Sequence, residues 1–199
     1  MTRIFGRSIL IPALLLAATV SADDQVKKLV TVEARDIKLQ VPTSWEQVET
    51  DSKFRAAQFR IPNKKADAEA AELVVYHFGG PTGGIKANIQ RWIDQFHEEN
   101  RKVDLVRSKW RNGSYVLSDV SGTWKKPDGP PFARKTIDKP GSRVIGVVLV
   151  VEKEDTKDYY FLKLSGPDGL VKSQAPALRT AFGADAKSEK PFKLEDVDN

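Results

Sequence analysis

The 199-residue chain contains no cysteine. That excludes disulfides, thiol catalysis and the lipid-modified cysteine of a lipoprotein. Only two histidines are present, His77 and His97, so imidazole chemistry has two places to occur. No G-x-S-x-G elbow is present to seat a serine nucleophile. Single-sign charge runs are also missing. Lys and Arg alternate with acids along the chain, and the formal charge is only +5. A nucleic-acid binder concentrates its basic residues on one face or stripe, so no nucleic-acid partner is expected. No cofactor is expected either, because no nucleotide or metal motif is complete.

The N-terminus follows the grammar of a secretory signal. Arg3 and Arg7 precede an apolar run from Ser8 to Val20, and Val20-Ser21-Ala22 supplies small residues before Asp23-Asp24. The run is shorter than the roughly 20 apolar residues that a spanning helix needs, and Pro12 interrupts it. Residues 1–22 are therefore read as a cleaved signal peptide, and the product as exported to the periplasm or beyond, without stable membrane insertion. A cut after Ala22 leaves 177 residues, and loss of the two arginines lowers the charge from +5 to +3. A chain of that size builds one ordinary core. One domain is expected over residues 23–183, with a charged, apolar-poor tail at 184–199.

Periodicity gives the elements. Ile37, Leu39 and Val41 alternate within a strand region from Leu29, stopped by Pro42. Trp45–Val48 and Phe54–Ile61 read as strands. The continuous run Leu73–Phe78 suits a strand covered on both faces. Ile85, Ile89, Trp92, Ile93 and Phe96 form one helical stripe, predicting a helix that ends near Asn100. Tyr115–Lys125 alternates, Lys126–Gly141 is rich in proline and reads as a long loop, and Arg143–Glu152 with Tyr159–Leu164 reads as a hairpin. A last helix opens at Gly166-Pro167-Asp168, with Pro176 expected to kink or split it and Gly183 to cap it. The fold class is α+β, a mainly antiparallel sheet with helices packed on it.

Several motifs then assemble into a resemblance. They are Val41-Pro42-x-x-Trp45, Phe59-x-Ile61-Pro62, Ala71 to Gly79, Gly83-Gly84-x-x-x-Asn88-Ile89-x-x-Trp92-x-x-Gln95-Phe96, Gly122-Thr123-Trp124 and Tyr160-Phe161-x-Lys163-Leu164-x-Gly166-Pro167. Over about Leu29 to Phe182 the chain resembles exported bacterial proteins of unassigned function, similar to the Mog1/PsbP-like superfamily. The resemblance implies an α/β/α sandwich. Superfamily members mostly act by binding other proteins, in photosystem assembly or small-GTPase regulation. Neither role suits an exported chain with no photosynthetic signature, so the resemblance transfers a leaning towards binding and no functional residue.

The site candidates are few. Gly79–Gly84 lies between a strand and a helix, where phosphate-cradling loops occur. The residues that follow are Ile85-Lys86-Ala87, which puts the lysine one position late and omits the Mg²⁺-binding hydroxyl. The loop reads as a turn into an amphipathic helix. Asp94, His97 and Glu98 sit at metal-ligand spacing on a helix face, a pattern equally suited to a solvated helix end. His77 shares a strand face with Leu73 and Val75 and reads as a packed histidine. Ser114, Ser118 and Ser121 are hydroxyls with no elbow to activate them.

The best candidate is the basic region Lys125–Arg143. It carries Lys125, Lys126, Arg134, Lys135, Lys139 and Arg143 against Asp128 and Asp138, with Phe132 as its aromatic. Long loops are often functional. Lys125, Lys126, Phe132, Arg134, Lys135 and Lys139 are therefore expected to dock an acidic protein or an anionic envelope component. The expected role is an exported accessory or binding domain rather than an enzyme. The alternatives are a small-ligand carrier with Trp45, Trp92 or Trp124 in one apolar cleft, or a hydrolase working with carboxylates.

Overall fold

The computed structural model describes residues 28–65, 67–79, 84–129, 135–154 and 156–197. The expected signal peptide, residues 1–22, most of the glycine loop and both Phe132 and Arg134 lie outside them. Among the described residues no helix is long and apolar enough to cross a membrane.

The alternating segments become strands. β1 (Leu29–Ala34) and β2 (Ile37–Pro42) form a separate antiparallel hairpin with Ile37, Leu39 and Val41 buried. The main sheet is built from β3 (Glu46–Gln47), β4 (Arg55–Ile61), β5 (Ala71–His77), β6 (Lys102–Trp110), β7 (Gly113–Pro127), β8 (Thr136–Glu152), β9 (Lys157–Pro167) and β10 (Lys190–Pro191). Its spatial order is β10-β6-β7-β8-β9-β5-β4-β3, with every neighbouring pair antiparallel. Both outermost strands are two residues long. Among the described residues two α-helices, α1 (Gly84–Asp94) and α2 (Asp168–Phe182), complete the α+β arrangement.

Period-two alternation divides the apolar residues between two clusters. Leu117, Ile145, Val147, Leu149, Leu162 and Leu164 join Val171, Leu178 and Phe182 of α2 and the buried residues of β2. Val116, Val120, Val144, Val148 and Phe161 join Ile89, Trp92 and Ile93 of α1. A strand serving both clusters reads as continuously apolar, which is why Val144 to Val151 carries Gly146 as its only break. At Gly146 the Trp92 side chain of α1 meets the sheet. A Cβ built there would lie 2.0 Å from the Trp92 ring, so the indole rests on bare backbone.

Five expectations change. The region Lys126–Gly141 is not a long loop. β7 runs to Pro127 and pairs with the start of β8, with Trp124 opposite Lys139 and Lys126 opposite Ile137. Proline is tolerated because Pro127 ends its strand and Pro140 falls at the register shift beside Gly122, where no ladder bond is required. The first helix stops at Asp94 rather than near Asn100, since the following residues hydrogen-bond to β7 instead. Pro176 lies inside an unbroken α2. β6, which has a weak pattern and mostly exposed or half-buried side chains, was not expected as a strand.

The fifth change concerns the tail. Residues 184–197 make specific contacts with the rest of the chain. Glu189 accepts from Arg179 Nε at 2.7 Å, Arg179 Nη2 at 3.0 Å and the Tyr115 hydroxyl at 2.7 Å. Lys190–Pro191 pairs with Val106–Arg107, and Phe192 and Leu194 pack against the α1-side cluster. One half-buried ion pair and two apolar side chains hold a segment whose composition reads as solvated.

Candidate functional site: a cationic cleft beside the β7–β8 hairpin

The chain leaving α1 creates the site. Phe96 bridges Trp124, the His97 N–H donates to the Thr123 carbonyl at 3.0 Å, and the Lys125 N–H donates to the Gln95 carbonyl at 2.7 Å. These bonds fix Gln95 at the end of the helix. Its side-chain Oε1 accepts from Lys163 Nζ at 2.7 Å and from Trp124 Nε1 at 3.3 Å. Lys163 stands on β9 between Val74 of β5 and Gly146 of β8. Its ammonium lies 5.2 Å from the centroid of the Trp124 ring, and Lys126 Nζ lies 5.9 Å from the same ring.

These groups face a cavity of about 660 Å³. Val74, Tyr76, Trp124 and Pro127 give it apolar and aromatic wall, and Arg55, Arg91, Lys126, Lys135 and Lys163 give it charge. Among the described residues that line it, Glu72 is the sole carboxylate. The cations fall into two kinds. Lys126 pairs with Glu69 at 2.7 Å and Lys135 with Asp128 at 2.6 Å. Arg55 donates to Gln58 and lies 6.0 Å over the Tyr76 ring, Arg91 donates to Asn88, and Lys163 donates to Gln95. Among the described residues, none of these last three has a carboxylate within ion-pair distance.

Burial shapes the titration of the site. Desolvation pushes the Lys163 ammonium down to about 8, and the charge of Glu72 opposes this only in part. Burial likewise raises the Tyr76 phenol, which stays neutral. At the rim, the hydrogen bond from Lys126 leads the influences that lower the Glu69 carboxyl.

The cations named from the sequence are only partly brought together. Lys126 and Lys135 line the cleft. Lys125, the next residue along β7, lines a separate hollow with Asp94, His97 and Glu98, because successive strand residues point to opposite faces. Lys139 shares Glu69 with Lys126, at 3.6 Å. Arg143 lies elsewhere, between Asp119 and Asp168 at 2.7 Å each. Sequence reasoning missed Arg55, Tyr76, Arg91, Gln95 and Lys163. One signal was available, since Lys163 interrupts Tyr160-Phe161-Leu162-Lys163-Leu164 at a position where alternation with Phe161 calls for an apolar residue.

The other candidates resolve into structural contacts. His77 Nε2 lies 2.9 Å from both oxygens of Asp158, and its ring stacks on Tyr160 at 4.5 Å. Its hydrogen bonds run to that carboxylate and not to Ser114, Ser118 or Ser121. His97 Nε2 pairs with Asp138 at 2.9 Å, while Asp94 accepts from Gln90. Among the described residues no three His, Asp or Glu side chains are grouped to hold a metal. Of the three tryptophans considered for a cleft, Trp124 lines this one. Trp92 rests on Gly146, and Trp45 sits in the α2-side cluster with its Nε1 donating to Gln174.

No family model matches the chain. No curated protein matches it either. Among solved structures, the chain is similar to cyanobacterial PsbP (CyanoP) from Synechocystis sp. PCC 6803, at 13% sequence identity and a TM-score of 0.43, over 86% of this chain and 97% of that one. The fold assignment rests on the strand order and the two clusters rather than on that likeness.

Proposed function

We propose that this chain is an exported accessory domain that acts by docking an acidic protein segment in the cleft beside the β7–β8 hairpin. One observation carries the reading. Arg55, Arg91 and Lys163 come from three different elements, face one cavity and lack carboxylate partners among the described residues. Lys163 is desolvated, Arg55 is half-buried and Arg91 is exposed at the mouth. A desolvated cation costs stability unless something neutralises it, and an acidic partner supplies that neutralisation. The N-terminal signal grammar supports the export half of the proposal. The basic hairpin arms remain part of the surface, with Lys126 and Lys135 at its rim.

The test is capture of a partner from the host's envelope fraction by the parent protein and by an Arg55→Glu/Arg91→Glu variant. An acidic protein held at low salt by the parent and lost by the variant agrees with docking in the cleft. Equal capture by both contradicts it.

A second reading has its own support. A volume of about 660 Å³ falls within the roughly 300–1,000 Å³ of small-molecule sites, and the half-buried Tyr76 gives its wall an aromatic ring. Melting shifts produced by small organic acids, with no protein captured, would favour a carrier.

A further inference from the structure

The cleft is uneven in its demand for an anion. A lysine ammonium has three N–H donors. Among the described residues the Lys163 ammonium has one hydrogen-bond acceptor, Gln95 Oε1, so two donors remain for whatever enters the cavity. Gln95 and the Trp124 ring hold the amine in place from one side.

The surroundings favour an anion of single charge. Phosphate sites use helix N-termini, where backbone N–H groups converge. This cleft has the opposite end, because Gln95 directly follows Asp94, the last residue of α1, and the carbonyl end of a helix repels negative charge. Glu72 adds a further negative charge to the wall. A carboxylate on an aliphatic stem meets these limits. Its stem would lie against the accessible Tyr76 and Pro127 of the wall, and its charge would meet an ammonium.

We infer that Lys163 anchors one carboxylate of the docked acidic segment, a glutamate or aspartate side chain, with Gln95 and Trp124 as positioning residues. This rests on the docking reading above and specifies its contact. The charged and titratable groups facing the amine are Arg55 from β4, Glu72 and Tyr76 from β5, Arg91 from α1, Lys126 from β7 and Lys135 from the hairpin. An ammonium that titrates at about 8 is mostly charged at pH 7 and mostly neutral at pH 9. An exposed lysine loses almost no charge over that range.

The experiment titrates an acetylated and amidated tetraglutamate peptide into the purified protein, followed by calorimetry and by NMR of the lysine ammonium groups. The expected result is saturable binding that shifts the Lys163 resonance and weakens about tenfold from pH 7 to pH 9. Lys163→Arg should bind with that pH dependence removed, because guanidinium stays charged. Lys163→Met should bind at least tenfold more weakly while melting no lower than the parent. If Lys163→Met binds as the parent does and Arg55→Glu/Arg91→Glu does not, the anchor is wrong and the docking reading survives. If the parent binds no tetraglutamate, both fall. Tighter binding of a capped phosphoserine peptide than of tetraglutamate overturns the carboxylate assignment.

Discussion

Lys163 and Trp124 share a single hydrogen-bond acceptor, Gln95 Oε1, at 2.7 and 3.3 Å. The relationship joins three distant parts of the chain at the floor of the cleft. It also holds a cation where the alternation of β9 would otherwise place an apolar side chain. Placing a desolvated cation there lowers stability, and a binding role gives it a reason to persist.

The first prediction follows from that cost. The Lys163 ammonium titrates at about 8 when folded against 10.5 as a free lysine. Between these values the unfolded chain binds the extra proton. The folded state is therefore penalised in full below about pH 8, and the penalty disappears as pH rises towards 10.5. Lys163→Met should raise stability at pH 7 by about 1–3 kcal/mol, with the gain shrinking to near zero by pH 10.5. Urea unfolding at both pH values checks this. A variant less stable than the parent at pH 7 would show that the lysine is structural.

The contact between Gly146 and Trp92 gives a second prediction. A Cβ at Gly146 would lie 2.0 Å from Trp92 Cε3 and 2.3 Å from Cζ3, a clash with a rigid ring. Gly146→Ala should cost about 2–3 kcal/mol, and adding Trp92→Leu should recover part of that loss by removing the ring. Chemical denaturation of the single and double variants measures the coupling. Additive losses would mean that the indole is free to move aside.

Much of this fold was legible in the sequence, and the failures have physical causes. Alternation at Ile37, Leu39 and Val41, the Leu73–Phe78 run and the Ile85–Phe96 stripe each identified an element, because burial imposes a period. The hairpin arms were hidden by Pro127 and Pro140, which look like loop residues and sit where no ladder bond is needed. The tail was hidden because Glu189 is held by partners 10 and 74 residues away. The site was the least legible part. Arg55 and Lys163 are brought to Arg91 and Gln95 at the end of α1 by the order of strands in the sheet, which local spacing does not encode. The sequence reading took the region between the β7 and β8 arms for a loop and named Lys125, Lys126, Phe132, Arg134, Lys135 and Lys139 as one patch, although the pleat turns Lys125 away from Lys126.

The docked tail supplies the third prediction. Burial pushes the Glu189 carboxyl upward, and the hydrogen bonds from Arg179 and Tyr115 outweigh it, leaving the group below its ordinary value of 4.5. A depressed carboxylate contributes stability above its unfolded pKa and loses it as pH falls through the folded one. Glu189→Gln should cost about 2 kcal/mol near pH 7, with the gap to the parent closing below about pH 4. Proteolysis should cut the 184–197 segment faster in the variant. Equal cleavage rates would mean that the ion pair does not hold the tail.

The docking claim itself is tested most directly by placing a photo-crosslinking residue at Thr136, on the cleft wall, and separately at Lys172, exposed on α2. Each variant is irradiated in the host envelope, and the adducts are identified by mass spectrometry. The account predicts an acidic protein crosslinked from Thr136 and not from Lys172, with the adduct lost when Arg55→Glu/Arg91→Glu is added. Equal crosslinking from both positions, or an adduct unaffected by the charge reversal, would contradict it.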